Sequence, residues 1–196
     1  FGDPGGQRHL GVAMAFLPAD PEAAKRARRA VEEALAAEDL KLARWRVVPV
    51  AQAALGDLAR ATAPRIEQAL FLAPDEDAEA AERRCFRAGR AATRATRTAG
   101  VATYLASCST RTVTYKALCA ADQLAAFYPD LGDPALAVPF AIFHQRYSTN
   151  TTPSWERAQP FRFLCHNGEI NTLDGNQAWM RAREGHLGAG ELDEEL

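Results

Sequence analysis

Cysteine is scarce in this chain: four residues, at positions 85, 108, 119 and 165, with no Cys-x-x-Cys pair. That spacing is what zinc ribbons and many cluster sites use, so a scaffold of that kind is excluded and reduced, buried thiols are expected. Long apolar runs are missing too. No stretch approaches the roughly 20 uninterrupted apolar residues of a bilayer-spanning helix, and no signal-peptide pattern is present. Excess positive charge is also absent. Lys and Arg number 23 against 25 Asp and Glu, a formal net charge of −2, without the overall basicity of nucleic-acid binders. Repeats and low-complexity linkers do not occur. These absences point to a globular, cytoplasmic chain with neither membrane nor nucleic acid as a partner.

What is there suffices for a core, since 47% of the 196 residues are hydrophobic and the length suits one domain. Leu10–Phe16 reads as a strand with Val12, Met14 and Phe16 on one side. Asp20 is placed to cap a helix starting at Pro21, with Ala24, Ala27, Val31, Ala34 and Leu35 as its apolar face and Lys25, Arg26, Arg28 and Arg29 as its wet side. Arg46–Val50 and Ile66–Leu72 are strand candidates flanking a short helix over Gln52–Thr62. Thr103–Cys108 and Thr112–Leu118 suggest a hairpin through Ser109, Thr110 and Arg111. A short helix over Ala121–Phe127, a turn from Pro129 to Pro134, and a last helix from Asn171 and Thr172 to Glu184 complete the outline.

One helix, predicted over Asp77–Thr98, carries Arg83, Arg87, Arg90, Arg94 and Arg97 along one face. Ala81, Cys85, Ala88, Ala92, Ala95 and Ala99 form the opposite stripe. Small side chains there suit close packing on a sheet, which makes the arginines a solvated outer face; a polyanion-binding surface is the alternative.

Two late segments concentrate polar chemistry. Val138, Phe140 and Ile142 alternate along Ala137–Phe143 and then give way to His144, Gln145 and Arg146, the pattern of a strand delivering an arginine to its end. Phe161, Phe163 and Cys165 repeat the pattern before His166, Asn167 and Gly168. The fork of Arg146 suits an amino-acid carboxylate. The Asn167 amide and the Gly168 N–H are donors of the type that stabilises the oxyanion of acyl transfer. On local pattern alone, a turn at Asn167-Gly168 and a solvated strand-end arginine are the commoner readings. His144 and His166 read as hydrogen-bonded scaffolding, Trp155 and Trp179 as packing residues, and Asn150-Thr-Thr as pocket or turn instead of a glycosylation site. A triad of Ser148, His166 and Asp174 lacks a nucleophile elbow.

Taken together, Arg146-Tyr-Ser-Thr-Asn-Thr151, Phe161-Arg-Phe-Leu-Cys-His-Asn-Gly-Glu-Ile-Asn-Thr172 and Trp179-Met-Arg-Ala-Arg183 closely resemble the amidotransferase domain of glutamate synthase large subunits. Trp45-Arg-Val-Val-Pro49, Leu55-Gly56, Pro64-Arg-Ile-Glu-Gln68 and Ser109-Thr-Arg-Thr-Val-Thr-Tyr-Lys116 extend the resemblance upstream, so that it spans residues 10–184. It implies an α+β class II glutamine amidotransferase with the N-terminal-nucleophile fold, a four-layer αββα sandwich. Residues 1–196 would be part of one such domain, incomplete at both ends. By position, Arg146 would hold the α-carboxylate of L-glutamine, Thr149 would lie beside the substrate, and Asn167 and Gly168 would form the oxyanion hole. The ammonia released would pass to the remaining synthase domains. There FMN and an iron–sulfur cluster, served by a reductase small subunit or ferredoxin, would use it to make glutamate from 2-oxoglutarate; no cofactor is expected in this piece.

The family's nucleophile is a cysteine at the first position of the mature chain, whereas residue 1 here is Phe1. Neither Cys85, Cys108 nor Cys119 matches it by position, and Cys165 reads as a core thiol. The family's acidic contact to the substrate ammonium has no match before Leu196 either. The expectation is an internal piece that is inactive alone, with a non-catalytic glutamine-binding or structural module as the alternative.

Overall fold

A computed structural model describes residues 9–74, 77–147, 152–161, 172–184 and 186. The chain divides into two units, Phe1–Cys165 and His166–Leu196. In the first unit, β1 (His9–Leu17), β2 (Lys41–Val47), β3 (Arg65–Ala73) and β4 (Tyr104–Ser109) alternate with the helices α1 (Pro21–Ala37), α2 (Asp57–Ala61), α3 (Ala78–Thr98) and α4 (Leu124–Phe127). Short 3₁₀ turns occupy Gln52–Ala54, Ala121–Gln123 and Pro129–Gly132. The second unit contains α5 (Leu173–Glu184), the helix expected there.

The strands form one sheet in the order β2-β3-β1-β4 with every neighbouring pair antiparallel. The crossover through α1 skips a place that β3 fills, and the crossover through α3 straddles β1, a split β-α-β-β-α-β arrangement. Side-chain alternation along the strands sets the layers. Ala13 and Ala15 of β1 and Ala69, Phe71 and Ala73 of β3 enter the cores beneath α1 and α3. Met14, Phe16 and Ile66 enter a separate core on the opposite face, with Val48, Phe127, Tyr128 and Trp155. The α+β class and the antiparallel sheet match expectation, with helices α1 and α3 on one face.

Helix α1 starts as its sequence dictates. The Asp20 carboxylate accepts the Ala23 N–H at 2.8 Å, and all five expected apolar residues are buried. Arg28 departs from the wet side, because it pairs with the fully buried Glu67 of β3. Asp77 caps α3 through the N–H groups of Glu79 and Ala80. Its buried stripe is Ala81, Glu82, Cys85, Ala88, Ala92 and Thr96. Ala95 and Ala99 are therefore exposed, since the contact line continues from Ala92 to Thr96. Arg87 is not on the solvated face either: its guanidinium donates to Glu38 at 2.8 and 2.9 Å and ties the end of α1 to α3. Arg83, Arg90, Arg94 and Arg97 are exposed as expected.

Other segments correct the sequence expectations. The second strand runs over Lys41–Val47 instead of Arg46–Val50; among the described residues it is an edge strand that pairs with β3 alone, so it needs no continuous apolar run. The helix expected over Gln52–Thr62 is broken at Leu55-Gly56 into a 3₁₀ turn and α2. Thr112–Leu118 forms no strand. The Ser109 hydroxyl accepts the N–H groups of Arg111 and Thr112, and the Ser107 hydroxyl accepts that of Thr114, replacing a hairpin ladder by side-chain bonds. Ala137–Phe143 is not a strand either, because alternation alone supplies no partner for its backbone groups. Phe140 and Phe143 are 69% and 84% exposed. Phe161 makes a single β-bridge, and the rest of the strand expected there lies outside the described residues.

Candidate functional site

Upstream strings singled out in the sequence converge on the sheet face away from α1 and α3. Arg46 donates to both carboxylate oxygens of Asp130 at 2.7 Å and to the Gln68 side-chain oxygen at 3.0 Å. Tyr115 donates to Asp130 at 2.8 Å and accepts from the Gln68 amide at 3.2 Å. Hydrogen bonding from Arg46, then from Tyr115, holds the Asp130 carboxyl below its usual range, and the same pairing raises Arg46. Burial, followed by the bond to Asp130, pushes the Tyr115 phenol up. This network staples β2, β3 and the 113–116 segment to the turn at Pro129–Gly132.

Lys116 is the centre of the next layer. Its side chain is buried, and its ammonium donates to Tyr104 Oη at 3.0 Å, Glu156 O at 2.8 Å and Ala158 O at 2.9 Å. It also lies 4.2 Å from the Tyr104 ring centre and 5.0 Å from that of Phe161. Desolvation lowers its pKa to about 8, against the opposing pull of the Glu156 charge. The adjacent backbone holds two phenols: Lys116 O accepts from Tyr128 at 2.8 Å and Ala117 O accepts from Tyr147 at 2.7 Å. Burial raises the Tyr147 phenol to about 12, with a further contribution from the Cys119 charge. Trp155 closes the layer, edge-on to Phe16 at 5.9 Å and donating its indole N–H to Ala59 O at 3.2 Å.

Arg146 is exposed and, among the described residues, takes part in no ion pair. Its neighbour Tyr147 is the residue anchored on Ala117. Thr149, Asn167 and Gly168, together with Ser148, Asn150, Cys165 and His166, lie outside the described residues. His144 is half-buried, Trp155 is the packing residue expected, and Trp179 on α5 is 74% exposed instead of packed. What the structure brings together is therefore the 113–117 segment with Tyr147 and with the carbonyls of Glu156 and Ala158. The sequence reading missed Lys116 as a bonding centre; a lysine standing beside Ala117 and Leu118 in an otherwise apolar stretch was the available signal.

Cys85, Cys108 and Cys119 form no disulfide. Among the described residues no group of three His, Cys, Asp or Glu side chains is arranged to hold a metal ion, so an iron–sulfur cluster finds no ligand set there. A cleft of about 530 Å³ beside Tyr104 and Trp155 is lined by Glu156 and by no lysine or arginine, a poor match for a flavin phosphate.

The pattern of the class II glutamine amidotransferases matches residues 5–196. The chain belongs to that family. It is 41% identical over 184 residues to ferredoxin-dependent glutamate synthase 1 of Arabidopsis thaliana, covering 92% of the chain and 11% of the plant protein. It is 44% identical to ferredoxin-dependent glutamate synthase 2 of Synechocystis, covering 94% of the chain and 12% of that protein. With the NADPH glutamate synthase large chain of Bacillus subtilis it shares 38% identity, over 97% of the chain and 13% of the relative. The chain thus spans about a tenth of the length of these curated relatives, and among its described residues no helix is long and apolar enough to cross a membrane.

Proposed function

We propose that this chain is part of the ammonia-releasing, glutamine-hydrolysing domain of a cytoplasmic glutamate synthase. The observation that carries the reading is the similarity to ferredoxin- and NADPH-dependent glutamate synthases along more than nine-tenths of the chain. It includes the strings holding Arg146, Thr149, Asn167 and Gly168. In this reading the Arg146 guanidinium grips the glutamine α-carboxylate through paired hydrogen bonds, and Thr149 contacts the bound amino acid. A cysteine thiolate outside these 196 residues attacks the side-chain amide carbon. The Asn167 amide and the Gly168 N–H take the developing oxyanion, ammonia leaves, and water cleaves the thioester to glutamate.

The remaining synthase domains then join the ammonia to 2-oxoglutarate with two electrons from ferredoxin or from a reductase subunit. FMN and an iron–sulfur cluster in those domains would supply that redox chemistry. For the whole domain we propose the N-terminal-nucleophile αββα sandwich, with which the layering of α1 and α3 on an antiparallel sheet is consistent.

The test is Arg146→Ala in the complete synthase. Glutamine-dependent kcat/KM should fall by a factor corresponding to about 1.5–3 kcal/mol, the range for hydrogen bonds to a charged group. Glutamate formation from added ammonium and 2-oxoglutarate should persist. An unchanged kcat/KM for glutamine overturns the clamp assignment.

A further inference from the structure

We propose that the outer face of α3 around Arg90, Arg94 and Arg97 is a docking surface for a carboxylate-rich face of the remaining synthase domains; the inference rests on this chain being part of a glutamate synthase and not on its glutaminase chemistry. From Arg83 to Ala121 the sequence holds eight basic residues and no aspartate or glutamate, although the whole chain has a formal charge of −2. Positive charge is thus concentrated in α3 and the stretch after it. The fold uses part of it internally. Arg84 and Arg87 reach Asp39 and Glu38 at the end of α1, Arg83 lies 3.8 Å from Asp77, and Arg111 pairs with Glu79 at 2.7 Å. Lys116 is buried. In the second half of α3, Arg90, Arg94 and Arg97 are exposed, and Arg90 and Arg97 form no ion pair among the described residues.

Helix energetics alone do not account for this ridge. Like charges at i,i+4 and i,i+3 destabilise a helix, and Arg90, Arg94 and Arg97 repeat those spacings. The macrodipole favours cations in the last turn, which covers Arg97 but not Arg90, two turns before the end at Thr98. Helix α1, packed beside α3, shows the balanced pattern of a solvated face: exposed Lys25, Arg26 and Arg29 are interspersed with Glu22 and Glu33, and Arg29 donates to Glu33 at 2.8 Å. The exposed neighbours on α3 are the short Ala91, Thr93 and Ala95, which leave Arg90 and Arg97 open to approach. The chemistry of the partner follows from the shape. A nucleic acid fits poorly, because the ridge runs about 10 Å at 1.5 Å per residue and meets few phosphates, on a chain of negative net charge. A small anion needs a concave cradle, which a convex helix face does not offer. Protein carboxylates fit, since each is planar and takes paired N–H donors from an arginine fork. The curated relatives are about ten times as long as the matched region, so a synthase built like them has ample polypeptide to supply that acidic face.

The test uses the complete synthase. Arg90→Lys and Arg97→Lys keep the charge and introduce an amine that a carbodiimide couples only to a carboxylate in direct contact. Digestion and mass spectrometry should find position 90 or 97 joined to an aspartate or glutamate outside residues 1–196. The yield should fall at least about fivefold in 1 M salt, where the Debye length is about 3 Å. Charge reversal, Arg90→Glu with Arg97→Glu, should then speed hydrogen exchange in the joined acidic segment about three- to tenfold. Both side chains are exposed, so exchange over β1 and β3 should stay at the parent rate and show that the fold is intact. Cross-links confined to residues 1–196, no cross-link at all, or cross-links to a separate protein such as added ferredoxin overturn the proposal. A yield indifferent to salt, or unaltered exchange in the reversal variant, overturns it as well. Glutamine hydrolysis is read separately: an enzyme that joins position 90 to another domain without hydrolysing glutamine defeats the glutaminase reading and leaves the docking surface standing.

Discussion

Arg46 on edge strand β2 meets Asp130 in a bidentate fork, both nitrogens 2.7 Å from the two carboxylate oxygens. The pair joins the sheet to a 3₁₀ turn far along the chain, and Tyr115 and Gln68 bond to it from neighbouring segments. Asp130 retains 15% side-chain exposure and Arg46 31%. Desolvation is thus partial, while the paired geometry is the strong kind of charged hydrogen bond. The segment it steadies, 113–118, also bonds through Lys116 and Ala117 to Glu156, Ala158 and Tyr147.

Asp130→Asn should destabilise the chain by about 1.5–3 kcal/mol at neutral pH, the range for hydrogen bonds to charged groups. The sign of the pH dependence follows from the lowered Asp130 pKa, caused first by the Arg46 bond. A carboxyl held below its unfolded value contributes stability above about pH 3.9, and that contribution fades as pH falls through the folded value. Urea midpoints of both proteins should converge in acid. A gap that stays constant from neutral to acid pH would show that the fork is not its source.

Gly11 of β1 lies opposite Phe71 of β3, and a Cβ on Gly11 would stand 2.2 Å from the Phe71 ring. The ring packs where the side chain is missing, and Phe71 is fully buried. Gly11→Ala should cost about 1–3 kcal/mol through overpacking. Shortening the ring residue makes room, so Phe71→Leu combined with Gly11→Ala should cost less than the two single changes added. Strict additivity in thermal or urea unfolding would refute the contact.

Helices α1 and α3 were legible because three local signals agree: an aspartate cap, a 3.6-residue apolar period and charged outer positions. The exceptions, Arg28 and Arg87, are ion pairs to Glu67 and Glu38, partners far away in sequence. Strand β2 was misplaced because Val47, Val48 and Val50 look more strand-like than the half-polar edge that pairs with β3. The false hairpin had a different cause, the capture of backbone N–H groups by the Ser107 and Ser109 hydroxyls. At the site, the polar strings stood out by resemblance to a family. The bonds of the 113–117 segment did not, because Lys116 reaches Glu156 and Ala158 only once the chain has folded.

Glu82 is a buried carboxylate that accepts from the Ser109 hydroxyl, the Thr110 N–H at 2.6 Å and the Thr110 hydroxyl at 2.7 Å. It joins the first turns of α3 to the end of β4. Glu82→Ala leaves buried donors unsatisfied and should cost about 1–3 kcal/mol for each one that water does not reach. Glu82→Gln, which keeps one acceptor oxygen, should fall between the alanine variant and the parent. Equal urea midpoints for parent and alanine variant would contradict a bonding role.

Lys116 supplies a pH dependence of opposite sense to that of Asp130. Burial lowers its pKa to about 8, the exposed Glu156 carboxylate being the charge that partly offsets this. An unfolded lysine titrates near 10.4. The folded chain therefore gives up this proton first as pH rises, and the unfolded chain binds more protons between about pH 8 and 10.4. The penalty of burying the ammonium is present below about pH 8 and is relieved through that window. A neutral amine still donates two hydrogens, matching Glu156 O and Ala158 O, and its lone pair can accept from Tyr104, so the cage survives deprotonation. Stability of the parent relative to Lys116→Met should accordingly increase from about pH 7 to about pH 10, read as the difference between urea unfolding free energies. A difference that is flat or shrinks over that range would mean that the amine is not held in the desolvated cage.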